Sequence, residues 1–287
     1  SNLKNCFSTE SSMKYFLIQA FASSLMLFSS FMIYMNFLFN INYTLLMFTF
    51  LLKMGAAPFH FWFPLVAEGL NWHMNMILMT WQKLAPMMLL SYISSKMSFF
   101  LQLVSLMSII IGSILGMNQT SLRKIMAYSS INHMGWMISS LFMNKILWKI
   151  YFLIYSMLTI LMMKIFFNYK IFFFNQMFIS NNMDKPMKFL SFCNFLSLGG
   201  LPPFLGFLPK WFILNNLIIN KYYLLMSLML IFTLINLFYY LRLSMNSFLY
   251  LNLQMKWNLP NNIYSYNIIL TINSLFGLLS SFIFFYY

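Results

Sequence analysis

Three lysines stand where a lysine is costly. Lys53 lies between Leu52 and Met54, Lys83 in the run Thr80-Trp-Gln-Lys-Leu-Ala-Pro86, and Lys210 just after Leu-Pro-Pro-Phe-Leu-Gly-Phe-Leu-Pro209. Each falls well inside a stretch apolar enough to cross a bilayer. There a lysine costs at least ~2.5 kcal/mol and, by default, marks a site of function. An amine held out of water can exchange its proton, whereas a guanidinium stays charged. Lys164 is different: it is four residues from the end of its expected span and can reach the headgroups along its own stem. The expected fifth span adds Ser129, Asn132, His133, Trp136 and Ser140, whose offsets place them on one helical face. Such a face turns inward, either to bond neighbouring helices or to carry water. Imidazole titrates near neutrality, so His133 joins the lysines as a candidate proton carrier.

Two segments around these lysines break helix rules. Lys53-Met-Gly-Ala-Ala-Pro-Phe-His-Phe-Trp-Phe-Pro64 places Gly55, Pro58 and Pro64 within one apolar run. Leu198-Gly-Gly-Leu-Pro-Pro-Phe-Leu-Gly-Phe-Leu-Pro-Lys210 does the same with Gly199, Gly200, Pro202, Pro203 and Pro209. Proline removes a helical donor, glycine lets the chain leave helical geometry, and in lipid the freed carbonyls need protein or water. Pro58-Phe59 precedes Pro64 by the spacing with which Pro203-Phe204 precedes Pro209. Lys53 comes before its break and Lys210 after its own, the pattern that inverted repeats produce. Packing kinks would also account for the prolines.

The composition requires a membrane around these features. Of 287 residues, 61% are hydrophobic and only 7% charged, against the roughly 25% charged of a soluble domain. Mean hydropathy is +0.76. The acids are Glu10, Glu68 and Asp184. The net charge of +14 comes from cations scattered between apolar runs, which suits topology signals better than a nucleic-acid surface. Cys6 and Cys193 form neither a disulfide framework nor a metal motif, and no phosphate loop, nucleophile elbow or acid pair is present. The 28 methionines, 35 phenylalanines and scarce Val and Arg fit an A/T-rich mitochondrial genome that reads ATA as Met.

Loop polarity and Pro/Gly punctuation predict about nine spans, near 12–34, 42–63, 73–95, 98–117, 124–143, 147–167, 187–217, 222–243 and 264–286. They form one transmembrane domain over 1–287: a first-repeat portion at about 8–95, a second repeat at about 98–243 and a C-terminal helix at about 264–286. Lys4, Lys14, Arg123, Lys124, Lys170, Lys185, Lys188, Arg242 and Lys256 then share the side of the chain start. Lys96, Lys145, Lys149 and Lys221 take the other. The bias places the chain start on the matrix side of a mitochondrial inner membrane.

LLKMGAAPFHFWFP (51–64), TWQKLAP (80–86), GMNQTSLRKIMAYSSINHMGW (116–136) and SLGGLPPFLGFLPKW (197–211) resemble the antiporter-like subunits of the mitochondrial proton-pumping NADH:ubiquinone oxidoreductase, complex I. The likeness runs from about Ser8 to the end. It implies an all-α polytopic fold of two inverted five-helix repeats, each with one broken helix. It gives Lys53 and Lys210 the roles of broken-helix lysines, Lys83 that of the central relay and His133 a place on the hydrophilic axis. It also assigns NADH, FMN, the iron–sulfur clusters and ubiquinone to other subunits, so none is expected in this chain. The expected partners are the other membrane-arm subunits, including neighbouring antiporter-like and small core subunits, and phospholipids; no nucleic acid is expected. One departure stands out: the family pairs its first broken-helix lysine with a glutamate on an earlier helix, and no residue here matches it. Two helices missing from the start are the expected reason. A cation/proton antiporter and an idle scaffold remain the rival readings.

Overall fold

The computed structural model describes residues 6–35, 39–179 and 185–249. Their regular structure is helical: α1 (Cys6–Tyr34), α2 (Phe39–Met54), α3 (Trp62–Gly69), α4 (Trp72–Met79), α5 (Trp81–Ile93), α6 (Ser98–Met117), α7 (Leu122–Met143), α8 (Lys145–Asn168), α9 (Phe174–Ile179), α10 (Lys185–Gly199), α11 (Phe207–Ile219) and α12 (Tyr223–Leu249). One isolated antiparallel bridge joins Ser121 to Phe173. The expected span at 264–286 lies outside the described residues.

Four segments are long and apolar enough to cross a membrane alone: Cys6–Tyr34, Ser98–Met117, Lys145–Asn168 and Tyr223–Met245. Three further crossings are built from pairs of shorter helices. α2 and α3 replace the span expected at 42–63, and α3 runs on to Gly69, which carries Glu68 on a helix rather than in a loop. α10 and α11 replace 187–217. The span expected to run unbroken over 73–95 is also divided. At Thr80 the backbone turns to φ −115°, ψ −75°, and Thr80 Oγ1 donates to the Met76 carbonyl at 2.7 Å. Back-bonding of this kind bends helices, and Pro86 withdraws a further donor one turn on. The first span, expected near 12–34, starts earlier: α1 begins at Cys6, so Glu10 is helical and paired with Lys14 at 2.5 Å.

α7 occupies the centre, with nearly every residue from Leu122 to Leu141 buried. Its polar face is therefore one side of a helix that is enclosed all round, and Ser130 and Ser139 are buried too. It can lie there because α6 offers it a stripe of small residues, Ser105, Ser108, Gly112 and Gly116. A Cβ on Gly112 would come within 2.7 Å of the Asn132 backbone nitrogen. Close backbone approach over small residues is how membrane helices gain packing where lipid is as apolar as leucine. Asn132 Nδ2 reinforces the contact on the Ile109 carbonyl at 3.4 Å.

Cations collect at one end of the bundle. Lys124 pairs with Glu68 at 2.7 Å, Arg123 donates to the Leu70 carbonyl at 3.0 Å, and Arg242 donates to the Met117 carbonyl. At the other end, Lys96 donates to Tyr43 Oη at 2.7 Å.

Candidate functional site

The two breaks have the same construction. Residues 55–61 separate α2 from α3, and residues 200–206 separate α10 from α11. Each begins at a glycine in the left-handed region, Gly55 at φ 71° and Gly200 at φ 82°. Each glycine closes a Schellman motif. Ala56 N donates to Leu51 O at 3.1 Å and Gly55 N to Leu52 O at 3.2 Å. Leu201 N likewise donates to Leu196 O at 3.3 Å and Gly200 N to Ser197 O at 3.0 Å. In this register Pro58 matches Pro203, Phe59 matches Phe204 and Pro64 matches Pro209. Lys53 then takes the place of Leu198, and Lys210 that of Leu65.

The carbonyls left over at the ends of α2 and α10 are satisfied differently. At the first break Trp62 Nε1 donates to Leu52 O at 3.1 Å and Gln19 Nε2 to Lys53 O at 3.3 Å. At the second, Lys210 Nζ donates to Gly199 O at 2.7 Å and to Leu198 O at 3.4 Å. Lys210 thus sets a cation on the negative end of α10, a favourable place for one.

Three of the four expected carriers meet in the core. Lys83 is 1% exposed, His133 4% and Lys210 5%. The Lys83 ammonium lies over the Phe63 ring at 5.0 Å and the Tyr155 ring at 5.4 Å. Tyr155 also contacts His133, with ring centroids 5.0 Å apart. His133 Nδ1 shares a hydrogen bond with Tyr151 Oη at 2.8 Å. One turn along α7, Trp136 lies 6.0 Å from Lys210 Nζ, and His133 is within electrostatic reach of both Lys83 and Lys210. Lys83 Nζ and His133 Nε2 are buried without a protein hydrogen-bond partner. Cation–π contact contributes about 0.5–2 kcal/mol, far less than the hydration a buried ammonium has lost, so the charged state of Lys83 requires water.

Lys53 does not join this group. It is half-buried on the α1 side, with Nζ 3.5 Å from Met26 Sδ, and makes no hydrogen bond or ring contact to Lys83, His133 or Lys210. Lys164 is exposed on α8, as snorkelling requires. His73 lies in the first turn of α4 with its ring tilted against Phe167, centroids 3.9 Å apart. Residue types alone did not disclose the buried tyrosines. Tyr151, Tyr155, Tyr239 and Tyr240 are each at most 2% exposed. The available signals were the 151/155 pair at helical spacing and the tandem tyrosines three residues before Arg242. Among the described residues, no three His, Cys, Asp or Glu side chains gather to hold a metal ion.

Paired glycine–proline breaks, with Lys83 buried between them in the chain and Lys210 buried just after the second, mark a multi-pass membrane protein of the antiporter-like class. Residues 1–236 match the family model for the NADH:quinone oxidoreductase/Mrp antiporter transmembrane region. The chain is 49% identical over 269 residues to NADH-ubiquinone oxidoreductase chain 2 of Anopheles gambiae, covering 91% of this chain and 78% of that one. It is 50% identical to chain 2 of Aedes aegypti over 96% of this chain and 83% of that one. It therefore belongs to the NADH-ubiquinone oxidoreductase chain 2 family, within the antiporter-like membrane subunits. The fold is that of a chain in respiratory complex I from Thermus thermophilus with bound aureothin (TM-score 0.83, 22% identity, covering 97% of this chain and 69% of that one). It is also that of a chain in an archaeal membrane-bound sulfane sulfur reductase (TM-score 0.85, 14% identity, covering 98% and 65%).

Proposed function

We propose that this chain works as a proton-translocating membrane-arm subunit of complex I in the mitochondrial inner membrane, with the chain start facing the matrix. Its partners in this reading are the other membrane-arm subunits and phospholipids. NADH, FMN, the iron–sulfur clusters and ubiquinone belong to other subunits, and this chain carries no redox step. Lys53, Lys83, His133 and Lys210 are the protonatable groups of the path, and the glycine–proline breaks admit water to its ends. The first repeat covers about residues 8–95 and the second about 98–243.

The observation that carries this reading is the Tyr155 ring in contact with both Lys83 and His133, two buried bases whose free nitrogens have no protein partner. Lys83 and Lys210 both lie within electrostatic reach of His133, and like charges held this close in a buried site disfavour one another. Loading one site therefore unloads the next. Each charge moved against the membrane potential costs about 2.3 kcal/mol per 100 mV, and quinone reduction elsewhere in the complex must supply it.

A free-standing cation/proton antiporter would need carboxylates at the breaks. The acids among the described residues, Glu10 and Glu68, are instead paired with Lys14 and Lys124. The deciding experiment is Lys83→Met in a tractable homologue, with proton pumping measured per NADH oxidised in the assembled complex. The relay requires that ratio to fall; assembly with an unchanged ratio rejects it.

A further inference from the structure

α1 lies across both halves of the first break. Near its start it packs against the end of α3, where a Cβ on Gly69 would come within 2.6 Å of the Ser11 Cβ. One turn on, Tyr15 tilts against Trp62 with ring centroids 6.0 Å apart, and it shares a side-chain hydrogen bond with Gln82, the neighbour of Lys83 on α5. After another turn, Gln19 Nε2 donates to the Lys53 carbonyl at the end of α2 at 3.3 Å. Two turns further, the Met26 thioether meets the Lys53 amine at 3.5 Å. Steps of four, four and seven residues keep Ser11, Tyr15, Gln19 and Met26 on one face of the helix. α8 crosses the second break through apolar contacts instead. Leu158 Cδ1 lies 3.5 Å from the position of a Cβ on Gly206, and the Phe166 ring lies 5.9 Å from that of Phe195.

In the register the two breaks share, the carbonyl of Lys53 corresponds to that of Leu198. The first accepts from the neutral amide of Gln19, the second from the ammonium of Lys210. The neighbouring donor at the first break, Trp62 Nε1 on Leu52 O, is neutral as well. Neither an amide nor an indole gives up its proton near neutral pH. The donors that close the first break are therefore the same in every charge state of the lysines. Lys53 is also spared the duty that Lys210 carries, because its amine meets a thioether, a weak acceptor. We infer that α1 is a splint for the first break, with Gln19 and Tyr15 as positioning residues. Gln19 fixes the end of α2 whatever the charge on Lys53. Tyr15 ties the other half of the break, through Trp62, to Gln82 beside Lys83. The first break thus keeps its geometry while the second can loosen as Lys210 changes charge. The splint rests on the proton-path reading for its purpose; the unequal rigidity of the two breaks is a separate property.

The test is amide hydrogen exchange at the two breaks, read in the assembled complex beside protons pumped per NADH. Gln19→Met keeps the length of the side chain and removes the donor. Exchange at Gly55 and Ala56 should then rise about threefold to tenfold, the change that one lost hydrogen bond makes in a local opening. Exchange at Gly200 and Leu201 should stay as it was. Lys210→Met is the mirror control: it should loosen Gly200 and Leu201 and leave Gly55 and Ala56 protected. Gln19→His places a ring nitrogen as many bonds from the backbone as the amide nitrogen, and it should restore both the protection and the several-fold loss of pumping seen in Gln19→Met. Tyr15→Phe keeps the ring on Trp62 and loses only the bond to Gln82. It tests the splint without touching the α2 cap, and it should lower pumping per NADH at normal assembly. Unchanged exchange in Gln19→Met, equal loosening of both breaks, or no recovery in Gln19→His overturns the splint; full pumping in Tyr15→Phe overturns the role of Tyr15. Exchange does not depend on pumping, so selective loosening in Gln19→Met beside a Lys83→Met variant that pumps normally rejects the relay alone.

Discussion

Lys210 reaches back across the second helix break to bond the carbonyl of Gly199, the last residue of α10, at 2.7 Å. A residue in the first turn of one half-helix thus closes the end of the other. Its ammonium has two tasks: it satisfies carbonyls that would otherwise be orphaned in lipid, and it is a group that can change charge. A step that moves its proton must also loosen the break.

The two tasks separate by substitution. Lys210→Arg keeps a permanent cation on the α10 carbonyls, so the complex should assemble at the normal level yet lose pumping. Lys210→Met removes the donor as well. A charge-assisted hydrogen bond contributes about 1.5–3 kcal/mol, and its loss should lower the amount of assembled complex on native gels. Equal assembly of both variants would mean that water replaces the cap without cost.

The glycines that open the breaks should tolerate a methyl group poorly, for related reasons. Gly55 and Gly200 lie at φ 71° and 82°, which costs an L-residue about 1–2 kcal/mol. A Cβ on Gly55 would also come within 2.9 Å of the Phe63 Cβ, and one on Gly200 within 2.7 Å of Lys210 Nζ. Gly55→Ala presses on the ring that covers Lys83, whereas Gly200→Ala displaces the lysine itself. Both should lower the thermal midpoint of the complex, and Gly200→Ala should reduce pumping by the larger factor.

Tyr151 holds His133 through a hydrogen bond of 2.8 Å. Removing it in Tyr151→Phe costs about 0.5–1.5 kcal/mol and frees the imidazole to turn. Pumping per NADH should fall by less than in Lys83→Met, because the base survives and only its orientation is lost. A loss as deep as that of Lys83→Met would make Tyr151 a carrier in its own right.

The lysines and the breaks are legible from sequence because each violates a rule of its surroundings. A charge in an apolar run and glycine with proline inside a span have few bland explanations. The bend at Thr80 is not legible, because threonine is ordinary in helices and only its rotamer decides whether it bonds back to Met76. The tyrosines are hidden by their number: with 17 in the chain, a Tyr reads first as an interfacial anchor, and Tyr151, Tyr155, Tyr239 and Tyr240 become distinct only when helix packing seals them. Exposure of Lys53 is equally a packing result. It adjoins a break of the same construction as the one before Lys210, but on the α1 side it is only half-buried.

Glu68 separates structural charge from working charge. It is joined to Lys124 at 2.7 Å, with both side chains partly exposed at the cation-rich end. Pairs of this kind contribute about 0–1 kcal/mol because water and salt screen them. Arg123 anchors the same loop independently through the Leu70 carbonyl, so the α3–α4 turn keeps a restraint when the carboxylate is gone. Glu68→Gln should therefore leave pumping per NADH and cation dependence unchanged, with at most a small drop in thermal midpoint that vanishes at high salt. An antiporter that used this carboxylate to hold Na+ or K+ would behave otherwise: its proton flux would depend on the cation, and Glu68→Gln would abolish that dependence. Measuring proton flux in vesicles with and without Na+ and K+, for both forms, decides between them.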